Sequence, residues 1–268
     1  MAKLKFHPTV KSFDIVNARA LARASQLAYQ DEDDILRILK SWGFPKGRFF
    51  AGRRKGTEGF VAGNADVILV AFRGTEVDKI KDWISDFKIK KVPAKGGGHV
   101  HRGFKAALES VSKKMVGAVH EFQDAGQPVF VTGHSLGAAL AGLAVGASAT
   151  EGLEIAGLYT YGMPRAGNKV FAKKFSAAYG MRSFRVVNNN DTVTRVPPGL
   201  FRYKHVGIVK YLNADGELES GETPWKRFKQ RVKGQVQGRI KDFLKLGPDG
   251  LKDHSIGRYV KILNKLEG

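Results

Sequence analysis

Apolar positions in this chain fall into short β-branched runs separated by stretches of helical period. "DVILVAF" (66–72) and "PVFVTG" (128–133) are nearly continuous apolar runs, the pattern of strands buried on both faces. "EGFVAGN" reads as a strand adjacent to the first of these, with a turn at Gly63–Asn64. Residues 155–162, 182–189 and 205–212 continue the strand series. Between them, apolar residues recur every three or four positions over 16–30, 100–126, 136–150, 168–180 and 255–266. The stretch 100–126 reads as one long amphipathic helix ending at Gly126, and 136–150 as a helix rich in small residues that must pack closely. Strands alternating with helices predict an α/β domain with a mostly parallel central sheet flanked by helices. With no internal repeat and no low-complexity linker, residues 1–268 read as a single domain.

Composition narrows this picture in three ways. No stretch approaches 18 uninterrupted apolar residues, so a membrane-spanning helix is not expected. The opening "MAKLKFHPTVKSFD" lacks the apolar core of a secretory signal, which leaves a cytoplasmic protein, or one exported by a route not visible in this chain. The chain has no cysteine, which excludes disulfides, thiol chemistry and Cys-ligated metals. A formal net charge of +20 favours anionic partners, without choosing between nucleic acid, acidic lipid and an anionic polymer.

Candidate chemistry centres on "VFVTGHSLGAAL" (129–140), where Ser135 sits in a G-x-S-x-G frame between Gly133 and Gly137. The frame joins a predicted buried strand to a predicted helix. There, glycines two positions either side let a serine occupy a tight turn with its hydroxyl exposed. The pentapeptide alone also fits a glycine turn with an idle serine. If the chain order Ser, acid, His holds, the base must follow Ser135, and only His205 and His254 do. His205 opens the predicted strand 205–212, whereas His254 falls on a predicted loop before the last helix, free to reach over the sheet edge. Among Asp191, Asp215, Asp242, Asp249 and Asp253, Asp191 stands at the end of a predicted strand. Asp253 is adjacent to His254, and Asp215 lies in a turn-like "NADGE". The expected triad is Ser135, Asp191 and His254.

Six segments in order strengthen this reading: "VAFRGT" (70–75), "VHRGF" (100–104), "VTGHSLGAAL" (131–140), "YGMPRAGN" (161–168), "NNNDTVTRVPP" (188–198) and "DHSIGRY" (253–259). With them the chain resembles the class 3 lipase family of α/β-hydrolases, the group that contains the fungal triacylglycerol lipases. Carried over by position, the family's nucleophile, acid and base fall on Ser135, Asp191 and His254. The resemblance also implies an oxyanion hole from Thr75 and the backbone N–H of Leu136. It makes 76–88 a candidate lid, with Val77, Ile80, Trp83 and Ile84 close to substrate and Asp86 beside the oxyanion loop. The spacing of 76–88 alone would fit an amphipathic helix in ordinary core packing.

Residues 224–246 carry eight Lys or Arg against one Asp, with apolar residues at helical spacing. They read either as a surface helix with a solvated outer side or as an interfacial helix drawn to anionic membranes. No zinc motif, helix-turn-helix or basic–aromatic strand pattern accompanies the charge, so nucleic-acid binding is not expected. The resulting expectation is a serine carboxylic-ester hydrolase acting on acylglycerols, with no metal or organic cofactor. Its partners are a lipid or ester substrate and an anionic membrane or lipid-aggregate surface. The rival readings are a phospholipase A-type enzyme on anionic membranes, a feruloyl-type esterase, and a lipase-like binding scaffold without catalysis.

Overall fold

The computed structural model describes residues 3–52, 57–75, 89–220 and 248–266. The candidate lid, with Val77, Ile80, Trp83, Ile84 and Asp86, and the basic segment 224–246 lie outside the described residues.

Among the described residues, eight strands form one sheet: β1 Lys46–Ala51, β2 Glu58–Gly63, β3 Ile68–Phe72, β6 Val129–His134, β7 Ile155–Tyr161, β8 Ser183–Asn188, β9 Ile208–Leu212 and β10 Leu218–Ser220, in the order β1-β2-β3-β6-β7-β8-β9-β10. From β3 to β9 neighbours run parallel, while β1–β2, β2–β3 and β9–β10 are antiparallel. The short strands β4 Lys91–Pro93 and β5 His99–His101 pair separately as an antiparallel ribbon.

Side-chain alternation divides the sheet's two faces. Val129 and Val131 join a cluster with α3 (Arg102–Glu109), α4 (Ser112–Phe122), α5 (Leu136–Ala147) and α6 (Lys169–Tyr179). Phe130, between them, joins a cluster with α1 (Ile15–Leu27), α2 (Glu32–Ser41) and α8 (Ile256–Leu263). The α/β class expected from the pattern is the one observed, a mostly parallel sheet with helices on both faces.

The structure departs from the sequence reading in three places. The stretch 100–126 is not one helix. Its first residues belong to β5, His101 caps α3 by accepting the Phe104 N–H at 3.3 Å, and the chain breaks again before α4. At that second break the Ser110 hydroxyl donates back to the Ala107 carbonyl, a local bond that competes with helix continuation. His254 does not lie on a loop; it ends a short helix, α7 (Pro248–His254), which starts at a proline suited to a first helical turn. His205 precedes β9 rather than standing in it.

Candidate active site

Ser135 lies between the carboxyl end of β6 and the first turn of α5, with φ 58 and ψ −126. This backbone conformation is strained for a side chain other than glycine's, and strain of that kind is found where surrounding structure fixes a functional group. The two flanking glycines make the turn sterically feasible. A Cβ on Gly133 would meet the Gly137 carbonyl at 2.4 Å, and one on Gly137 would meet the Phe72 carbonyl oxygen at 2.2 Å. The Ser135 N–H donates to the Tyr161 carbonyl of β7 at 3.0 Å, while its own carbonyl accepts from Ala138 and Ala139 and starts α5.

Asp191 and His254 meet although 63 residues separate them. Asp191 follows β8, and both its carboxylate oxygens lie within reach of His254 Nδ1, at 3.0 and 2.9 Å. A carboxylate accepts, so Nδ1 carries the proton and Nε2 keeps its lone pair. The carboxylate takes two further hydrogen bonds, from the Tyr259 hydroxyl at 2.6 Å and the Val193 N–H at 3.0 Å. Asp191, His254 and Ser135 are all buried. Ser135 Oγ and His254 Nε2 are buried polar atoms without a hydrogen-bond partner among the described residues. These are the two atoms that a proton transfer from serine to imidazole would use.

A second histidine shapes the pocket, and sequence reasoning passed over it. His134 stacks on His254 with ring centroids 4.4 Å apart. Its Nε2 lies 2.6 Å from the His254 carbonyl, which can only accept, so the proton sits on Nε2. Burial, and secondarily the neighbouring His254 ring, hold the His134 pKa well below its usual value, so the ring is neutral and Nδ1 accepts the Tyr29 hydroxyl at 2.7 Å. Tyr29 and His134 thereby fix the backbone of His254. Tyr259 was inside a quoted segment but unassigned; its hydroxyl donates to Asp191 and accepts the Asn188 N–H at 3.0 Å. Burial, then the Asp191 charge, push its pKa well up, so it remains a donor. Gly162 was also unassigned. At φ +59 it passes so close to the pair that a Cβ would lie 2.7 Å from Asp191 Oδ2 and 2.8 Å from the His254 ring.

Among the other aspartates, Asp253 braces the same turn without facing Nδ1. It accepts from Asn189 Nδ2 and the Asn190 N–H and pairs with Arg258. Asp215 stands in the turn between β9 and β10, its N–H bonded to Asn213. Asp242 lies outside the described residues. The Arg165 guanidinium donates to the Arg195 and Pro197 carbonyls and so pins the loop after Asp191. Burial, reinforced by Arg195, lowers its pKa to about 10.

Thr75 is half-buried on the turn after β3, and Leu136 is the first residue of α5. The adjoining Gly74 marks how near that turn comes to the nucleophile: a Cβ there would stand 3.2 Å from Ser135 Cβ. The first N–H groups of α5 have no intrahelical carbonyl to bond, and this positive end of the helix begins at Ser135. Among the described residues no group of three or more His, Cys, Asp or Glu stands close enough to hold a metal ion.

A sheet of this topology with a serine elbow at a carboxyl strand end and an Asp–His pair beside it defines an α/β-hydrolase. Residues 69–201 match the family described as lipase (class 3), the family whose motifs the chain carries in order. It is 36% identical over 161 residues to the secreted mono- and diacylglycerol lipase 1 of Fusarium solani, covering 58% of this chain and 46% of that protein. It is 31% identical over 197 residues to phospholipase A1-II 6 of Oryza sativa subsp. japonica, covering 60% and 46%. The crystal structure of the mono- and diacylglycerol lipase from Aspergillus oryzae superposes over 94% of this chain and 99% of that chain, with a TM-score of 0.71 at 20% identity, a likeness of fold. The chain spans about half the length of the curated relatives it matches.

Proposed function

We propose that this protein is a serine carboxylic-ester hydrolase that cleaves acylglycerol esters through an acyl-enzyme on Ser135. The observation that carries the reading is the buried Ser135 hydroxyl on its strained elbow, beside a histidine whose Nδ1 is committed to Asp191. In the proposed cycle His254 Nε2 takes the hydroxyl proton as Oγ bonds to the ester carbonyl carbon, giving a tetrahedral oxyanion. The Thr75 hydroxyl and N–H and the Leu136 N–H donate to that oxyanion. The carbon–oxygen bond to the alcohol then breaks, and the leaving oxygen takes the proton from Nε2. Water, deprotonated by the same nitrogen, attacks the acyl carbon; the bond to Oγ then breaks, Oγ takes the proton back from Nε2, and the fatty acid leaves. Asp191 holds the imidazole in the productive tautomer and stabilises it when it becomes charged.

The second reading, phospholipase A-type cleavage on anionic membranes, is favoured by the +20 charge and by the likeness to a rice phospholipase A1. Rates on emulsified neutral acylglycerols and on phosphatidylglycerol vesicles, each over a range of salt, separate the two. The acylglycerol reading expects the larger kcat/KM on acylglycerols with little salt dependence. Phospholipid preference that collapses as salt rises would overturn it.

A further inference from the structure

Two segments near the site carry no acidic residue at all, 89–105 and 192–211. The structure ties them together. Lys91 Nζ donates to the Phe201 carbonyl at 2.9 Å and lies 4.7 Å from the centroid of the Tyr203 ring, while the Tyr203 hydroxyl donates to the Ile89 carbonyl at 3.2 Å. The Arg102 N–H donates to the Lys90 carbonyl, and the Lys204 N–H to that of Gly167. Ile89 and Leu200, on these joined segments, expose 42% and 69% of their surface. Exposed Lys90, Arg102, Arg202 and Lys204 stand on the same joined segments, and none makes an ion pair with a described residue, whereas Lys95 and Lys105 are paired with Glu151 and Glu109. The second segment begins immediately after Asp191 and leads into β9, so the patch is continuous in chain with the acid of the pair.

We infer that this patch is a docking surface for an anionic phospholipid interface, with Leu200 and Ile89 entering the acyl boundary while the four cations meet headgroup phosphates. Isolated aliphatic side chains in water have no stabilising partner, and the four cations on the same segments repel a second copy of the same face. An interface that is anionic outside and apolar beneath satisfies both. A nucleic acid satisfies only the charge, because the centre of the patch offers no exposed aromatic ring for a base to stack on. The inference deepens the proposed ester-hydrolase reading, but its test does not depend on turnover.

The test measures co-sedimentation of the full chain with vesicles of ether-linked phosphatidylglycerol, which no esterase cleaves, and of ether-linked phosphatidylcholine. Binding to the anionic vesicles is expected, falling steeply with salt. Leu200→Asp and the double variant Arg202→Glu/Lys204→Glu are each expected to lower it on the order of tenfold or more. Met181→Asp serves as the control: its side chain is 82% exposed just before β8, outside both joined segments. It should leave binding within about twofold, since a single charge outside the patch adds little. Unfolding midpoints check that each variant is folded. Anionic binding unchanged in both patch variants, or equal binding to the neutral vesicles, would overturn the inference. So would patch variants that lose affinity for a single-stranded oligonucleotide but not for vesicles. A serine that proves unreactive would overturn the hydrolase reading and leave these binding results standing.

Discussion

The two faces of the central sheet are built from different materials. On the face covered by α3 to α6, Val70, Phe72, Val100, Phe104, Leu140, Leu143 and Phe171 pack together as an aliphatic and aromatic cluster, with the hydroxyls of Ser148 and Tyr179 paired at 2.9 Å beyond the far end of α5 from the elbow. On the face covered by α1 and α8, hydrogen bonds thread through the packing. Ser25 meets Thr132 at 2.9 Å, the Tyr161 hydroxyl donates to the Ala18 carbonyl, Tyr29 holds His134, and Tyr259 holds Asp191. Apolar packing is tolerant of direction, whereas a hydrogen bond fixes a position to within tenths of an ångström. The Asp–His pair is oriented from the polar face, and the elbow is pressed against the sheet from the apolar one.

If that division is real, substitutions on the two faces should have different signatures. The largest effect belongs to Asp191→Asn, which removes the acceptor that selects the His254 tautomer. Loss of kcat by about 10^3- to 10^4-fold on a soluble ester is expected, with a folded, cooperative unfolding transition. Retention of more than a tenth of the activity would show that another group orients His254. Next is Leu140→Ala in the middle of α5, where the side chain is fully buried. Denaturant titration should register a loss of about 2–5 kcal/mol, with turnover per folded molecule little changed.

Tyr259→Phe sharpens the contrast because it removes one oxygen and no packing volume. A stability loss of about 1–3 kcal/mol is expected from the unpaired Asn188 N–H and the weakened Asp191 contact. Unlike Leu140→Ala, it should also move the acid limb of the kcat/KM profile. An unshifted profile would make Tyr259 a packing residue only.

The smallest effect is on the pH dependence of stability. His134 is neutral in the fold with a lowered pKa, whereas in the unfolded chain it titrates near 6.5. The unfolded state therefore binds more protons below about pH 6.5, so the contribution is fully present above that pH and is lost as pH falls. Urea midpoints from pH 8 to pH 5 should decline in the parent protein and decline less steeply in His134→Gln. Equal slopes would remove His134 from the acid sensitivity.

Much of the fold was legible in sequence because its signals are local. Continuous β-branched runs such as 68–72 can hardly be anything other than doubly buried strands, and the small-residue run after Ser135 had to be a tightly packed helix. Where the reading failed, a side chain outweighed the period. His101 and Ser110 each take up a backbone group and divide an apparently continuous helix, and Pro248 starts a turn that carries His254 at its end. For the candidate site, chain order and strand-end placement pointed to Asp191 and His254, which the structure brings into contact. One argument used on the way does not hold, since His205 stands outside β9. The supporting shell was not legible in the same way. Gly162, Tyr259 and Tyr29 act through approaches of a few ångströms across strands and helices distant in sequence; the first two stand in the segments 161–168 and 253–259, but nothing there shows which group they touch. His134 lay inside the quoted motif, yet its neutral tautomer follows only from the carbonyl of His254 above it.

Reaction of the intact protein with a fluorophosphonate, read by intact mass and by mapping the modified peptide, tests the central claim most directly. The account predicts one phosphonyl group per molecule, carried on Ser135, with labelling abolished in Ser135→Ala and strongly slowed in Asp191→Asn. A protein that stays unlabelled while folded, or labelling that persists in Ser135→Ala, would contradict it.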